Sequence, residues 1–302
     1  MRFLTFSSGA DDRPRLGLAI DPTMLIDLVP ALAGVDAVTV PPTLQEFIAA
    51  GLELHEALRR AVARTSTCPS EVCYRLDEIT LRAPLRPGKL IGVGLNYIEH
   101  VEESSRSLET DRTLPSRPVL FGMPATAVIG SGEPIQHNAA LTAQLDWECE
   151  LAVVIGRTAR AVSESEAFDH VFGYSILNDI SARDQRRSGQ WFFSKGQDSY
   201  APLGPVVVTA DEIGDPHDLD LALFVNGAQR QRGNTRDMLF SIPRLIADIS
   251  SGMTLEPGDV IATGSPQGVG AAMTPPQFLT PGDIVEARIE TIGSLTNPVK
   301  AV

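Results

Sequence analysis

The sequence predicts an α+β protein that is mainly β, with a curled, mixed β architecture preceded by a small α+β unit. The chain has 302 residues, of which 43% are hydrophobic and 21% charged, so it has ample material for a core. From residue 89 onward, short apolar runs alternate with Gly and Pro, a pattern typical of strands and turns. Few helical patterns separate these runs, which disfavours a doubly wound parallel sheet.

The first 85 residues are expected to form the small unit, and residues 86–302 the main domain, with a Pro- and Gly-rich boundary at 83–88. One helix is predicted in the small unit. Thr43 and Glu46 have the spacing of a capping box there, and several apolar residues share one helical face: Phe47, Leu54, Leu58, Ala61 and Val62. Strands are predicted around this helix at residues 2–6, 15–20, 24–28 and about 74–81.

The main domain is predicted to contain mostly strands. Its two clearest helical patterns lie at residues 163–169 and 241–250. Apolar runs predict strands at residues 90–93, 119–121, 151–155, 171–176, 206–209, 219–225, 260–263 and 284–289.

Charge and composition exclude several classes of partner. The net charge is −13 and the pI is near 4.8, so neither nucleic acid nor an anionic membrane surface is expected to bind. The N-terminal apolar run is too short for a signal peptide, and no run approaches the length of a membrane span. We therefore expect a cytoplasmic protein. The three cysteines, Cys68, Cys73 and Cys149, predict neither a disulfide framework nor a zinc site.

Two glutamates at the start of an apolar run are the strongest functional signal. Glu148 and Glu150 lie just before the strand predicted at 151–155. Because side chains alternate along an extended chain, both point to the same face. Neighbouring buried carboxylates repel each other, and a divalent cation such as Mg²⁺ would offset the repulsion. A third acid, Asp179, ends another apolar run. The alternative is a solvated strand edge with scattered acids.

A histidine and a glutamate one helical turn apart form the second candidate. His100 and Glu103 follow the strand predicted at 90–93, and a carboxylate beside an imidazole orients it as a general base. An exposed histidine on a polar helix is the alternative. The polar stretch at 104–115 has no core face and is interpreted as a mobile loop or a lid.

Other polar residues are weaker candidates. Lys195 follows aromatic residues and is a candidate for stabilising an oxyanion, although a surface lysine fits the local sequence as well. Arg183 and Gln185 come soon after Asp179 and are candidates for binding a substrate carboxylate or another polar substrate atom; a structural arginine is the alternative. The Gly-rich run at 263–270 lacks a P-loop lysine, and either a backbone anion site or a plain turn fits it.

From residue 89 to the C-terminus, these segments resemble the fumarylacetoacetate hydrolase family, because several separate motifs occur in order. The motifs are Gly94-Leu95-Asn96-Tyr97 with His100 and Glu103, Pro118-Val119-Leu120-Phe121, Glu148-Cys149-Glu150-Leu151, Asn178-Asp179-Ile180-Ser181-Ala182-Arg183-Asp184, Lys195 with Asp198, Gly204-Pro205, Val225-Asn226-Gly227 with Gln231, Pro257-Gly258-Asp259-Val260-Ile261, and Thr263-Gly264-Ser265-Pro266 with Gly268-Val269-Gly270.

The resemblance implies a curled mixed β-sheet roll, a bound Mg²⁺ or Mn²⁺ ion and a homodimer. It implies three metal ligands, a dyad that activates water, a catalytic lysine and four substrate-binding residues. The metal ligands are Glu148, Glu150 and Asp179, the dyad is His100 and Glu103, the lysine is Lys195, and the substrate-binding residues are Arg183, Gln185, Gln231 and Ser265.

Three positions depart from the pattern of the family, and all three are expected to face the substrate. Met123 stands where relatives often have lysine, and Arg186 stands where a glutamine often falls. Ser265 replaces the common threonine and keeps the hydroxyl donor.

These features predict a metal-dependent hydrolase that cleaves a C–C bond in an acylpyruvate-like 2-oxo acid. The metal would polarise the 2-oxo acid, His100 would activate water, and Lys195 would stabilise the developing charge. The same site would serve a decarboxylase or an isomerase, since both reactions pass through an enolate. A metal-binding domain without turnover is a further alternative.

Overall fold

The computed structural model describes residues 1–9, 11–33, 39–64, 71–100, 103, 114–186 and 189–302. The loop or lid predicted at 104–115 therefore lies almost entirely outside the described residues. No helix within these ranges is both long enough and apolar enough to span a bilayer.

Strands dominate this part of the chain. Their bounds are β1 (Arg2–Ser8), β2 (Asp11–Ala19), β3 (Met24–Asp27), β4 (Cys73–Arg75), β5 (Ile79–Arg82), β6 (Leu90–Gly94), β7 (Val119–Met123), β8 (Val128–Ile129), β9 (Ile135–His137), β10 (Leu145–Asp146), β11 (Cys149–Ile155), β12 (Val171–Asn178), β13 (Ser181–Ala182), β14 (Ala201–Thr209), β15 (Asp220–Val225), β16 (Ala228–Asn234), β17 (Val260–Ala262), β18 (Ile284–Ile289) and β19 (Gly293–Ala301).

Helices are short and few by comparison. The α-helices are α1 (Leu28–Ala31), α2 (Leu44–Ala49), α3 (Leu52–Arg64), α4 (Trp191–Lys195) and α5 (Ile242–Gly252). Single 3₁₀ turns lie at Leu76–Glu78, Ala125–Ala127, Ala167–His170, Arg183–Gln185, Ala210–Glu212, Thr235–Asp237 and Gly270–Ala272.

Two large sheets and a two-stranded antiparallel sheet of β10 and β13 contain these strands. The larger has the order β4-β3-β2-β1-β14-β12-β11-β17-β6-β7, with β5 paired to β1 and β8 to β14. Most of its pairs are antiparallel, but β17 and β6 are parallel, so the sheet is mixed. A second sheet has the order β16-β15-β18-β19-β9. This architecture confirms the predicted class of α+β, mainly β.

The small N-terminal unit extends the larger sheet. Arg2 and Phe3 of β1 pair with Val208 and Val207 of β14. A buried apolar cluster also joins the two parts, since it includes Phe3, Phe47 and residues of β11 and β12 such as Val154 and Phe172. The domain boundary near residue 85 remains a prediction.

Several local expectations were wrong. The single N-terminal helix is divided into α2 and α3 at Gly51, whose φ of +85° ends the first helix. The helix predicted at 163–169 is a 3₁₀ turn at Ala167–His170. Cys73 is disulfide-bonded although the odd set of three cysteines predicted no disulfide framework, and Cys149 is free and buried. Spacing alone does not show which cysteines approach each other in the fold.

The strands β9, β16 and β19 were not predicted. Polar residues dominate β16, and β19 includes Pro298, so neither has the apolar run of a buried strand. Pairing with β15 holds β16 in the second sheet, and pairing with β18 holds β19 there, so tertiary contacts decide both strands.

The central position of β11 brings the predicted site together. Every residue of β11 is buried, between β12 on one side and β17 on the other. Because β11 and β12 are antiparallel, the start of β11 lies beside the end of β12, where Cys149 pairs with Asn178. Glu148, Glu150 and Asp179 therefore meet at one end of the sheet.

Candidate active site

The three acids form a compact buried cluster. One oxygen from each of Glu148, Glu150 and Asp179 lies within 4.8 Å of the others. The three residues are 5%, 1% and 0% exposed. Backbone contacts fix the geometry, because the Asp179 amide donates to the Glu148 carbonyl at 2.8 Å and the Glu148 amide donates to the Asn178 side chain at 3.1 Å. The structure thus brings together the acids that the sequence predicts as metal ligands.

The chemistry of this cluster fits a hard divalent cation. Asp179 Oδ1 is buried without a hydrogen-bond partner, which is costly for a carboxylate oxygen unless a cation contacts it. Burial raises the pKa of Asp179 to about 7, although Lys195 opposes the shift. Burial also raises the pKa of Glu150, and the charges of Asp179 and Glu148 raise it further. All-oxygen ligand sets suit Mg²⁺ or Mn²⁺.

The pKa of Asp179 predicts how metal binding depends on pH. Ligation requires ionised carboxylates, so below about pH 7 a proton must leave before the ion binds, and each such proton weakens apparent affinity by up to about tenfold per pH unit. We expect the rise in Tm caused by Mn²⁺ to be larger at about pH 8 than at about pH 6. In the metal-free protein, Asp179 has the opposite effect on the pH dependence of stability. A folded-state pKa raised from 3.8 to about 7 contributes stability that is lost as pH rises through that interval.

Thermal unfolding with and without Mn²⁺ across this pH range measures both effects in one protein. A Tm increase that stays constant, or shrinks, as pH rises would contradict ligation by these carboxylates.

Two buried cations surround the acid cluster. Lys195 Nζ donates to Glu148 Oε2 at 2.7 Å, to Asp179 Oδ2 at 2.6 Å and to Ser181 Oγ at 2.8 Å. Arg183 donates from Nη2 to Glu148 at 2.8 Å and from Nε to Asp146 at 2.8 Å. Burial alone would raise the pKa of Glu148, but Lys195 and Arg183 together lower it below its usual range. Both cations therefore keep Glu148 ionised.

Asp146 fastens the Gly-rich loop to the cluster. Its carboxylate accepts hydrogen bonds from the backbone amides of Gly270 at 2.7 Å and Ala271 at 3.0 Å, as well as from Arg183. Another amide of the same loop, that of Gly264, donates to Glu150 at 2.9 Å. The loop predicted as either an anion site or a turn thus binds three protein carboxylates, because the Gly268 amide also donates to Glu103.

The predicted dyad faces the acid cluster. His100 Nδ1 lies 3.3 Å from Glu103 Oε2, and His100 Nε2 lies 3.9 Å from Glu148 Oε1. Glu103 in turn accepts from the Gly268 amide at 3.0 Å and 3.1 Å. Glu103 and the loop therefore orient the imidazole so that Nε2 points to the acids, where a general base is needed.

The other predicted substrate-binding residues differ in position. Ser265 and Arg183 line the cleft beside the acid cluster, together with His100 and Lys195. The amide of Gln185 donates to the Leu141 carbonyl instead. The side chain of Gln231 is also hydrogen-bonded within the protein. It accepts from the Cys149 amide at 2.9 Å and donates to Ser265 Oγ and the Pro266 carbonyl at 2.8 Å each. Neither glutamine lines this cleft.

Two further residues line the cleft: Arg186, which was expected from the sequence to face the substrate, and Trp191, which was not singled out. Arg186 lies at the end of the 3₁₀ turn Arg183–Gln185, and Trp191 begins α4. The available signal was the departure from the family pattern at Arg186. Local sequence did not show that this side chain, rather than that of Gln185, faces the cleft.

Comparison with known proteins identifies the family. Residues 89–300 match the model of the fumarylacetoacetate hydrolase C-terminal domain. The chain belongs to the fumarylacetoacetate hydrolase family. One relative is oxaloacetate tautomerase YisK of Bacillus subtilis, which is 41% identical over 95% of this chain and 97% of its own. Another is the mitochondrial oxaloacetate tautomerase fahd2 of Xenopus laevis, 37% identical over 99% of this chain and 90% of its own.

Solved structures of the family share the fold. A fumarylacetoacetate hydrolase from Exiguobacterium antarcticum is 38% identical, with a TM-score of 0.82 and full coverage of both chains. Maleylpyruvate hydrolase from Sphingobium sp. SYK-6, in complex with manganese(II) and pyruvate, is 32% identical, with a TM-score of 0.78 over 100% of this chain and 99% of that one. Relatives thus include tautomerases and hydrolases, and one of them binds Mn²⁺. The resemblance predicted from the sequence is confirmed.

Proposed function

We propose that this protein is a divalent-metal-dependent enzyme that interconverts the keto and enol forms of a 2-oxo acid, with oxaloacetate as its substrate. The observation that carries the proposal is the orientation of His100, whose Nε2 lies 3.9 Å from Glu148 at the acid cluster. This position suits a base that moves a proton to or from the carbon next to the 2-oxo group. Relatives that cover almost the whole chain are named oxaloacetate tautomerases, which supports the choice of reaction.

Glu148, Glu150 and Asp179 would hold Mg²⁺ or Mn²⁺ at the cluster. When bound, the ion supplies Lewis acidity, which stabilises negative charge on the 2-oxo oxygen by several kcal/mol. Lys195 donates hydrogen bonds to two of these acids, Glu148 and Asp179, and adds positive charge beside the reacting group. The ion and Lys195 together would make the site attractive to an anion despite the negative net charge of the protein.

Proton transfer is assigned to the dyad. His100 Nε2 takes a proton from C3, the electrons of the C3–H bond form a C2–C3 double bond, and the carbonyl electrons move to the oxygen. Glu103 accepts the hydrogen bond of His100 Nδ1–H, so it stabilises the protonated imidazole and fixes its orientation. The enolate oxygen then takes a proton from water to give the enol. In the reverse direction the enol O–H proton returns to water and the protonated His100 delivers its proton to C3.

Replacing His100 tests this assignment. His100→Asn keeps a polar side chain but removes the base, so we expect kcat for tautomerisation of oxaloacetate to fall by about 10²–10⁴-fold. The assay follows the decay of enol absorbance above the uncatalysed rate. Removing metal with a chelator should abolish the activity, and Mn²⁺ should restore it. Glu99→Gln is the control for His100→Asn, since it changes an exposed side chain directly before His100 in the chain. Wild-type turnover that survives in His100→Asn would contradict the mechanism.

Hydrolysis of an acylpyruvate-like acid, the reaction that the sequence predicts, is the second candidate. The dyad suits activation of water as well as proton transfer from carbon, and the maleylpyruvate hydrolase structure supports this reaction class. Release of a carboxylic acid from acylpyruvates would favour hydrolysis, and CO₂ from oxaloacetate would favour decarboxylation. If none of these acids reacts, the result would favour a metal-binding domain without turnover. The homodimer remains a prediction.

A further inference from the structure

We propose that Arg186 binds the second carboxylate of a 2-oxo dicarboxylic acid and thereby selects dicarboxylates over monocarboxylates. The inference rests on the proposed function, because it takes the 2-oxo acid end of the substrate to lie at the acid cluster. Arg186 lines the cleft and stacks on Trp191.

Among the described residues that line the cleft, Arg186 is the cation without a carboxylate partner. Arg183 is paired with two carboxylates, and Lys195 is also paired with two. Within the described part of the chain, no acid lies within ion-pair distance of Arg186, although this side chain lines the same cleft as Glu148 and His100. An anion that enters the cleft therefore finds one guanidinium available for pairing.

Trp191 holds this guanidinium in place without using its hydrogen-bond donors. Arg186 Cζ lies 4.0 Å from the centroid of the Trp191 ring, in a cation–π contact. The ring is itself fixed, because it packs against Phe121 at a centroid distance of 5.2 Å. On another side it covers Gly94, where an added Cβ would lie only 2.6 Å from the ring. A guanidinium stacked on a fixed ring keeps its N–H edges free for a carboxylate.

The surroundings favour a carboxylate at this point. Burial and the nearby charge of Arg183 lower the pKa of Arg186, yet an arginine remains protonated at neutral pH. A half-buried cation beside a second cation gains from a bound anion, and partial burial strengthens that attraction. A planar guanidinium binds a carboxylate through two parallel hydrogen bonds. The structure thus offers a distal carboxylate site next to the reactive one.

A purely structural role for Arg186, as a clamp on α4, predicts different results. A clamp would affect all substrates equally, whereas a distal carboxylate site affects only substrates that carry a second carboxylate. Exchange of the C3 protons for deuterium, followed by NMR, measures proton transfer in both oxaloacetate and 2-oxobutyrate. Oxalate carries the proximal pair of oxygens without a distal arm, so its inhibition constant reports the proximal site alone.

Arg186→Gln is expected to lower kcat/KM for oxaloacetate by about 10–100-fold, the scale of a lost charge-assisted carboxylate contact, mainly through KM. Exchange in 2-oxobutyrate and the inhibition constant of oxalate should stay within about twofold. Arg186→Lys should restore only part of the loss, because a lysine does not form the paired hydrogen bonds. Arg160→Gln is the matched control, since it removes the same charge from an exposed position beyond the opposite end of β11.

An equal loss with oxaloacetate and 2-oxobutyrate, or weaker inhibition by oxalate, would overturn the proposal in favour of the clamp. A wild-type protein without exchange in any 2-oxo acid would instead refute the proposed function. In that case calorimetric titration of the Mn²⁺-loaded protein with oxaloacetate and 2-oxobutyrate decides the matter. A preference for the dicarboxylate that disappears in Arg186→Gln supports the distal site, and an unchanged preference rejects it.

Discussion

Replacing Glu150 with glutamine is expected to lower kcat/KM for the 2-oxo acid by about 10³-fold or more, while the metal-free protein stays at least as stable as wild type. The catalytic loss follows because the metal would lose a charged ligand, and Lewis acid stabilisation is worth several kcal/mol. The stability result follows because the charge of Glu150 is unfavourable in the metal-free protein. Burial raises the pKa of Glu150, and Asp179 and Glu148 add repulsion. Glutamine removes that charge and keeps the shape, and its oxygen can still accept from the Gly264 amide.

Urea unfolding of the metal-free protein and steady-state kinetics with Mn²⁺ test the two parts separately. Glu256→Gln is a suitable control, because Glu256 is exposed and its ion pair with Lys89 lies at the start of β17, away from the cluster. Near-normal turnover in Glu150→Gln would remove the basis for a metal at this site. Normal folding with lost turnover and lost Mn²⁺ stabilisation is the expected outcome.

Replacing Lys195 with methionine is expected to destabilise the metal-free protein by about 3–5 kcal/mol, the usual cost of removing one partner from a buried ion pair. Lys195 Nζ contacts Glu148 and Asp179 at 2.7 Å and 2.6 Å, and all three side chains are almost fully buried. Without the lysine, the cluster keeps three acids and loses one of its two paired cations. The carboxylates must then take up protons or bind another cation. Mn²⁺ should therefore restore more stability to this variant than it adds to wild type.

Unfolding free energies measured with and without Mn²⁺ give the loss of stability and the stabilisation by the ion. Lys300→Met is the control, because Lys300 is exposed near the C-terminus. Wild-type stability in Lys195→Met would mean that these acids do not need the lysine to remain buried. Turnover should fall as well, even where Mn²⁺ restores the fold, since the positive charge beside the substrate is gone.

Local patterns were sufficient for much of the fold and for the position of the site. Alternation at the start of β11 placed Glu148 and Glu150 on one face, and the end of a second apolar run pointed to Asp179. The structure brings all three within 4.8 Å, while their role as ligands still awaits measurement. The strands with clear apolar runs were also found, because burial on both faces requires such runs.

Local patterns did not separate all the residues that face the cleft from those that do not. Gln185 and Arg186 are neighbours in sequence, but the end of a 3₁₀ turn directs one side chain to the Leu141 carbonyl and the other to the cleft. Gln231 belongs to a family motif, yet it binds the Cys149 amide and the loop at Ser265 and Pro266. A side chain's direction at a turn depends on contacts made by residues far apart in the chain.

The sequence by itself determined the family and the class of fold, and it predicted the acids, the histidine and the lysine that the structure brings together, since each of these has a local pattern or an ordered motif. Only the tertiary structure decided which cations are already paired and which one is available. Lys195 and Arg183 are committed to carboxylates that lie between 16 and 47 positions away in the chain, whereas Arg186 rests on Trp191 without an acid partner among the described residues. Pairing of charges is decided by distance in space and by burial, and neither quantity is encoded in the spacing of residues along the chain.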